Sequence, residues 1–167
     1  IFFNSLMGIP PVVVGLIVYF LFARNGPLGV FQLLYTPSAM IIAQIILIFP
    51  IVFSLSHELF SQNWNHFKDH FRAYNMPFFG IMIILFRHSY YLLITILLSG
   101  FGRAISEVGA VMIVGGNIDH YTRVMTTAIT LETRIGNLEY ATALGIVLIS
   151  ITIIINLILY LFNFKKI

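Results

Sequence analysis

The chain has 167 residues, of which 59% are hydrophobic and 9% are charged, and its mean hydropathy is +0.98. Soluble domains carry about a quarter of charged residues, so this composition excludes a water-soluble domain and indicates a protein that folds in a lipid bilayer. The net charge of +3 comes without a basic run of the kind that binds nucleic acid, and the lack of cysteine excludes disulfides, thiolate metal sites and thiol catalysis.

The first apolar segment covers residues 1–23. A helix needs about 20 apolar residues to cross roughly 30 Å of hydrocarbon, and four segments meet this requirement. In the first, Pro10 and Pro11 either kink the helix or start its well-formed part. Because the chain begins inside this apolar run, we interpret it as a piece of a longer protein. A connection rich in glycine and proline follows over residues 24–37.

The second predicted span covers residues 38–56 and contains Gln44 and Pro50. Polar groups in lipid must find partners, so we expect Gln44 to face a neighbouring helix. Residues 57–77 form the longest polar stretch. Within it, residues 63–74 fit an amphipathic helix on the membrane surface, because their aromatic side chains recur at helical spacing.

The third and fourth predicted spans complete the bundle. Arg87 and His88 interrupt an apolar run, which places the start of the third crossing near Ser89, and this helix is expected to continue over residues 89–115. The fourth span covers residues 140–164 and is followed by two lysines.

Orientation follows from the basic residues. Lys68 and Arg72 lie in the polar stretch and Arg87 follows it, and Lys165 and Lys166 lie at the end of the chain. Two crossings separate these groups, so they lie on one side of the membrane, which the positive-inside rule identifies as the cytoplasm. The polar stretch is therefore predicted to be a cytoplasmic loop.

The sequence "GRAISEVGAVMIVGGN" concentrates polar and small residues in the third span. Arg103 and Glu107 are four residues apart, so they share a helix face and are able to pair. Charges in a membrane helix are costly and usually face other protein. Two interpretations stay open: an ion pair that braces packed helices, or a pair that lines a polar path. The nearby glycines favour close helix approach, and the final Gly-Gly-Asn favours a helix end.

Four polar residues follow this stretch. Hydroxyl groups with a single arginine suit a passing oxyanion, because they bind it without holding it tightly. An ordinary capped re-entrant or surface helix is the alternative. The residues are Thr122, Arg123, Thr126 and Thr127.

Enzyme and metal chemistry find no support in the sequence. His66 and His70 are one helical turn apart, but no third ligand is placed by spacing. The chain contains no phosphate-binding loop, nucleophile elbow or dinucleotide fingerprint. We therefore predict no metal site and no enzymatic activity in this chain.

Two motifs resemble a known family. "GFGRAISEVGAVMIVGGNI" and "TRVMTTAITLET" are similar to the permease subunits of bacterial tungstate importers of the ABC class, which are relatives of the molybdate and sulfate permeases. "LMGIPPVVVGLIVYFLFARNGPLG" and "YTPSAMIIAQIILIFPIV" resemble the preceding helices of that family, so the resemblance covers nearly the whole chain.

The resemblance implies an all-α, polytopic transmembrane bundle of the type I ABC importer permease kind, as one domain over residues 1–167 that lacks the family's first helix. It implies import of tungstate or molybdate across the bacterial inner membrane. The implied partners are a second copy of the permease, cytoplasmic ATPase subunits that bind the ATP, and an extracytoplasmic oxyanion-binding protein. This chain itself would hold no cofactor. The candidate path and gate residues are Arg103, Glu107, Gly109, Gly115, Gly116, Asn117, Thr122, Arg123, Thr126 and Thr127.

The polar loop departs from the family pattern. In the family this loop carries a Glu-Ala-Ala motif and a nearby glycine, and it docks in the ATPase. Here Lys68, Asp69 and His70 stand at the motif, and Tyr74 stands near the glycine. These four residues are the coupling candidates. An importer of another solute, such as sulfate or an amino acid, and a channel-like or structural membrane subunit are the alternative functions.

Overall fold

The computed structural model describes residues 6–164, and it describes side chains for residues 6–158. Within these residues the secondary structure is helical and contains no β-strand, which confirms the predicted all-α class. In chain order the helices are α1 (Pro11–Phe22), α2 (Pro37–Ala73), α3 (Phe78–Ile105), α4 (Gly109–Gly115), α5 (Met125–Arg134) and α6 (Leu138–Phe164), with a 3-10 turn at Gly29–Phe31.

Three of the described helices are long and apolar enough to cross a membrane: α2, α3 and α6. Helix α1 has 12 residues and a length of roughly 18 Å, which is less than the hydrocarbon thickness. It therefore differs from the predicted span over residues 1–23, of which residues 1–5 lie outside the described part. Pro11 occupies the first turn of α1, where the missing N–H would have no partner in any case.

Helix α2 is a single helix of 37 residues. Thr36 caps its start, because its Oγ1 accepts a hydrogen bond from the amide of Ala39 at 3.4 Å. The sequence predicted a span that ends at residue 56 and a separate loop over residues 57–77. The helix instead continues to Ala73, since residues 57–73 contain no glycine or proline, and leaving the lipid does not by itself end a helix.

Helix α3 runs back along α2 as the second arm of a hairpin. It begins at Phe78, and the predicted start of the membrane crossing near Ser89 stays a prediction. Gln44 donates from Nε2 to the carbonyl of Ala104 at 3.2 Å, which confirms that Gln44 faces a neighbouring helix. Nearer the hairpin turn, Asn63 donates from Nδ2 to the hydroxyl of Ser89 at 2.7 Å.

The helix predicted over residues 89–115 is broken in the structure, because α3 ends at Ile105 and α4 begins at Gly109. Two side chains stabilise the break by bonding to the backbone. The hydroxyl of Ser106 donates to the carbonyl of Arg103 at 3.1 Å, and the carboxylate of Glu107 accepts from the amide of Ala110 at 3.1 Å. We call residues 106–108 the α3–α4 junction.

Helix α4 ends where the Gly-Gly-Asn sequence predicted a helix end. Gly116 adopts φ = 70° directly after the helix, in the left-handed region that glycine enters without strain. The amide of Tyr35, in the connection between α1 and α2, donates to the carbonyl of Val114 at 2.9 Å. Tyr35 lies outside the membrane-spanning helices. A side-chain hydrogen bond with Tyr19 and partial burial raise the pKa of its hydroxyl group.

The best-packed part of the protein is formed by α1, α4 and the first half of α2. Apart from Phe22, its side chains are alanine or valine, and such small side chains allow the helices to approach closely. The buried residues of this core are Val14, Val18, Phe22, Ala39, Ala43, Ala110 and Val114.

Helices α5 and α6 pack on each other and form the last layer. Helix α6 begins at Leu138, close to the predicted span over residues 140–164. Ile146, Ile149 and Ile153 on α6 are largely exposed, as expected for side chains that face lipid. Lys165 and Lys166, used above for the orientation, lie outside the described residues.

Candidate functional site

Glu107 is the central residue of the α3–α4 junction and is 7% exposed. Its side-chain Oε1 accepts the hydrogen bond from the amide of Ala110. Its backbone carbonyl accepts a second bond, at 3.2 Å, from the hydroxyl of Thr126 on α5. The side chain of Glu107 therefore provides a hydrogen-bond acceptor for a free amide in the first turn of α4, and its backbone carbonyl contacts α5.

Arg103 and Glu107 form the predicted pair, but the distance between their charged groups is at the upper limit for an ion pair. The distance between Arg103 Nη2 and Glu107 Oε2 is 4.0 Å, and the two side chains are 44% and 6% exposed. The closest contact of the carboxylate is thus the Ala110 amide. The guanidinium of Arg103 keeps most of its donors available to another acceptor.

A cleft of about 200 Å³ lies beside the junction. We call it the junction cleft. It combines a carboxylate, an amide and a hydroxyl with apolar side chains, and four helices border it. No group of three side chains able to hold a metal ion occurs among the described residues. The lining residues are Gln44, Ala104, Ile105, Glu107, Val124, Met125, Thr126 and Leu148.

Gly109 and Gly115 serve helix packing. A Cβ on Gly109 would lie 2.9 Å from Cγ2 of Val12, and one on Gly115 would lie 2.8 Å from Sδ of Met40. Both distances are shorter than an ordinary van der Waals contact. The two glycines therefore let α4 approach α1 and α2, and neither borders the junction cleft.

Gly116 and Asn117 form the tight turn after α4. A Cβ on Gly116 would lie 2.6 Å from Cδ1 of Tyr35. Asn117 also has a positive φ, 51°. Its Oδ1 is buried and, among the described residues, has no hydrogen-bond partner.

Thr122 and Thr127 use their hydroxyls within the chain. Thr122 donates to the carbonyl of Gly115 at 2.6 Å and accepts from the amide of Ile118 at 2.8 Å. Thr127 donates to the carbonyl of Val124 and accepts from its amide, at 3.0 and 3.1 Å. Both side chains are buried and shape the turn that leads into α5.

Arg123 lies in this turn, before α5 rather than on it. Its Nη1 donates to Oδ1 of Asp119 at 2.8 Å, in an ion pair with 30% of the arginine side chain exposed. Its Nε is buried without a partner among the described residues. The positive charge is thus more closely paired than that of Arg103, whose carboxylate partner lies 4.0 Å away.

The four coupling candidates lie far from the junction cleft. Lys68, Asp69 and His70 belong to the last turns of α2, and Tyr74 follows the helix. Along α2 the distance from Gln44 to these turns is roughly 40 Å. Asp69, His70 and Tyr74 are exposed, and Lys68 is half-buried.

Sequence reasoning did not place four residues that matter here. Val124 and Leu148 line the junction cleft, but apolar side chains in an apolar sequence give no signal. Gly15 contacts α4. The sequence feature that could have indicated this contact is a single glycine within a run of branched apolar residues. For Gln44 the partner helix was predicted, but not the cleft beside it.

Comparisons with known proteins agree with this architecture. The family model for the inner membrane component of binding-protein-dependent transport systems matches residues 1–166. The chain is 44% identical to a probable anion ABC transporter permease protein of Haloferax volcanii over 90% of its length and 67% of that protein's. It is 44% identical to the tungstate uptake system permease protein TupB of Peptoclostridium acidaminophilum, over 93% of this chain and 68% of that protein. For TupB of Campylobacter jejuni the identity is 40%, with coverage of 93% and 65%.

Proposed function

The chain belongs to the family of inner membrane components of binding-protein-dependent transport systems, and from this premise we propose that it is part of the permease of a tungstate importer. It is a multi-pass membrane protein and a component of a transporter. The observation that carries the proposal is the similarity, over almost the whole chain, to two permeases named for tungstate uptake. The chain spans about two thirds of their length.

We assign the anion-facing role to Arg103. Its guanidinium is about half exposed and lies 4.0 Å from its nearest carboxylate oxygen. A guanidinium binds a tetrahedral oxyanion through charge-assisted hydrogen bonds. Arg123, in the turn before α5, is a second candidate cation, and its bond to Asp119 weakens its attraction for an anion.

The remaining site residues would support these cations. The carboxylate of Glu107 repels an anion, so its role is to hold the start of α4, where it bonds to the amide of Ala110. Thr122 and Thr127 keep the turn before α5 in shape through their bonds to the backbone. The site would thus offer an oxyanion the half-exposed guanidinium of Arg103, close to the break between α3 and α4.

We propose that the chain works as one of two copies, with cytoplasmic ATPase subunits and an extracytoplasmic oxyanion-binding protein. ATP would bind to the ATPase subunits and not to this chain. The end of α2, with Lys68, Asp69, His70 and Tyr74, would contact the ATPase, because this exposed end extends beyond the length that crosses the hydrocarbon. Binding and hydrolysis of ATP would then drive alternating access.

Uptake into vesicles tests the proposal. Vesicles would contain the full-length permease, its ATPase and its binding protein, and tungstate uptake would be measured with ATP and with a non-hydrolysable analogue. We expect uptake with ATP only, with molybdate competing more strongly than sulfate. Uptake of sulfate or an amino acid but not tungstate would overturn the assignment of the solute. Flux without ATP would indicate a channel.

A further inference from the structure

The pair formed by α5 and α6 has few contacts with the rest of the protein. These helices pack on each other, whereas α6 meets α3 only briefly. Helix α4, by contrast, is enclosed by α1 and α2. The described part of the chain therefore consists of a packed group, α1 to α4, and a more loosely attached α5–α6 pair.

One hydrogen bond of the described residues joins α5 directly to the packed group. The hydroxyl of Thr126, on the first turn of α5, donates to the backbone carbonyl of Glu107 at 3.2 Å. Both residues are buried, with exposures of 8% and 7%. The bond therefore contributes to holding the two groups in contact, by about the net value of one hydrogen bond.

The acceptor of this bond is itself fixed. Glu107 belongs to the α3–α4 junction, and its carboxylate bonds to the amide of Ala110. Helix α4 is held in turn by the close contact between Ala110 and Gly15. Thr126 is thus attached to a rigid point of the packed group.

The junction cleft lies along the same boundary. Gln44, Ala104 and Ile105 border it from the packed group, and Met125 and Leu148 border it from the α5–α6 pair. Its volume of about 200 Å³ is enough for several water molecules, since each takes about 30 Å³ in the liquid. The two groups are therefore already separated by open space beside the Thr126 bond.

We propose that Thr126 is a positioning residue, whose hydrogen bond to the Glu107 carbonyl holds the α5–α6 pair against the α3–α4 junction. Breaking this bond widens the junction cleft, which Ala104, next to Arg103 in the chain, borders from the packed group. In the transport cycle, which rests on the function proposed above, the widened cleft admits the oxyanion between the two groups. Thr126 then acts through the position of α5 rather than by contact with the anion.

A distance measurement tests the proposal without any substrate. Phe101 on α3 and Leu138 on α6 are exposed, and the sequence contains no cysteine, so Phe101→Cys and Leu138→Cys introduce two spin labels, one in each group. The full-length permease with its ATPase is labelled in a background without other cysteines. It is diluted with unlabelled protein, so that label pairs within one chain give the distance distribution.

The test variant is Thr126→Val, which keeps the side-chain volume and removes the hydroxyl. The matched control is Thr130→Val, one turn further along α5, because the hydroxyl of Thr130 bonds only to the carbonyl of Thr126 in its own helix. We expect Thr126→Val to raise the population of the longer label distance roughly two- to tenfold, the change that loss of one hydrogen bond produces. Thr130→Val leaves the distribution unchanged, and Thr126→Ser, which retains a hydroxyl, restores it.

Equal distributions for Thr126→Val and Thr130→Val would overturn the proposal, and so would a failure of Thr126→Ser to restore the parent distribution. The outcome is independent of the solute. If the distances respond as expected and the parent transporter takes up no tungstate, the proposed function fails and the role of Thr126 stands. If tungstate is taken up and the distances do not respond, the proposed function stands and the role of Thr126 fails.

Discussion

Gly15 and Ala110 bring the backbones of α1 and α4 into direct contact: a Cβ on Gly15 would lie 2.8 Å from the Cα of Ala110. No flexible side chain stands between them that would move aside. We expect Gly15→Ala to destabilise the protein by about 1–3 kcal/mol, the usual effect of overpacking. The thermal unfolding midpoint of the purified full-length permease measures this.

Gly145 on α6 provides the control for this substitution. A Cβ at Gly145 meets nothing within 4 Å, and the residue lies inside a helix. Gly145→Ala should leave the unfolding midpoint unchanged or raise it slightly, since alanine favours a helix over glycine. Equal losses in both variants would contradict the close contact of α1 with α4.

Glu107 allows its charge to be separated from its hydrogen bond. Glu107→Gln keeps an oxygen that accepts from the Ala110 amide, whereas Glu107→Ala leaves that buried amide without a partner. We expect Glu107→Ala to lower the free energy of unfolding by about 1–3 kcal/mol, and Glu107→Gln to lower it by much less. Unfolding in denaturant compares them. If the glutamine variant loses as much as the alanine variant, the charge and not the bond matters.

Exchanging the charges of Arg103 and Glu107 should not restore transport. The two side chains occupy different environments, with exposures of 44% and 6%. The double variant Arg103→Glu with Glu107→Arg would bury a guanidinium next to a backbone amide that needs an acceptor. We expect the double variant to assemble poorly and to transport no better than either single variant. Recovery of uptake in vesicles would show that the pair acts as an exchangeable ion pair.

Arg103 should contribute to uptake without supporting the fold. Its guanidinium is about half exposed, so we expect Arg103→Gln to leave the unfolding midpoint nearly unchanged. Loss of a charge-assisted contact with the oxyanion should reduce uptake roughly tenfold or more. Arg134, which lies exposed in the last turn of α5, is the control, and Arg134→Gln should transport normally. Equal uptake in the two variants would remove Arg103 from the path.

Gly116 should be the more sensitive of two glycines with left-handed backbone. Gly116 and Gly136 have φ values of 70° and 85°, but only at Gly116 would a Cβ meet a neighbour, the ring of Tyr35 at 2.6 Å. Gly136→Ala should lower the free energy of unfolding only by the backbone strain of an alanine at positive φ, about 1–2 kcal/mol. Gly116→Ala costs more, and adding Tyr35→Ala should recover part of the difference. A double-mutant cycle in unfolding free energy tests this, and additive effects would contradict the contact.

The general architecture followed from the sequence because it depends on local properties. Apolar length indicated the three helices that are long enough to cross the membrane, α2, α3 and α6, and the cost of a polar group in lipid predicted that Gln44 faces another helix. The helix end at Gly116 followed from the freedom of glycine at positive φ. None of these needs knowledge of which helices are neighbours.

The hydrogen bonds at the α3–α4 junction could not be predicted from the sequence, because each polar group has both local and distant partners to choose from. The spacing of Arg103 and Glu107 predicted a shared helix face, but the shorter contact of Glu107 is with the Ala110 amide, and the helix ends before it, at Ile105. The hydroxyl of Thr126 was placed in an anion path, yet its observed partner is a carbonyl 19 positions away. Sequence patterns do not show which of two acceptors a hydroxyl chooses, because the choice depends on packing.

The unbroken course of α2 has a mechanical consequence. Met40, which packs against α4, and Ala73, at the far end, are roughly 50 Å apart along one helix. A tilt of about 10° around the packed end would therefore displace the far end by roughly 9 Å. A displacement of the exposed tip by a few ångströms thus corresponds to a tilt of a few degrees at the core, except for the part that bending at Pro50, inside the helix, absorbs.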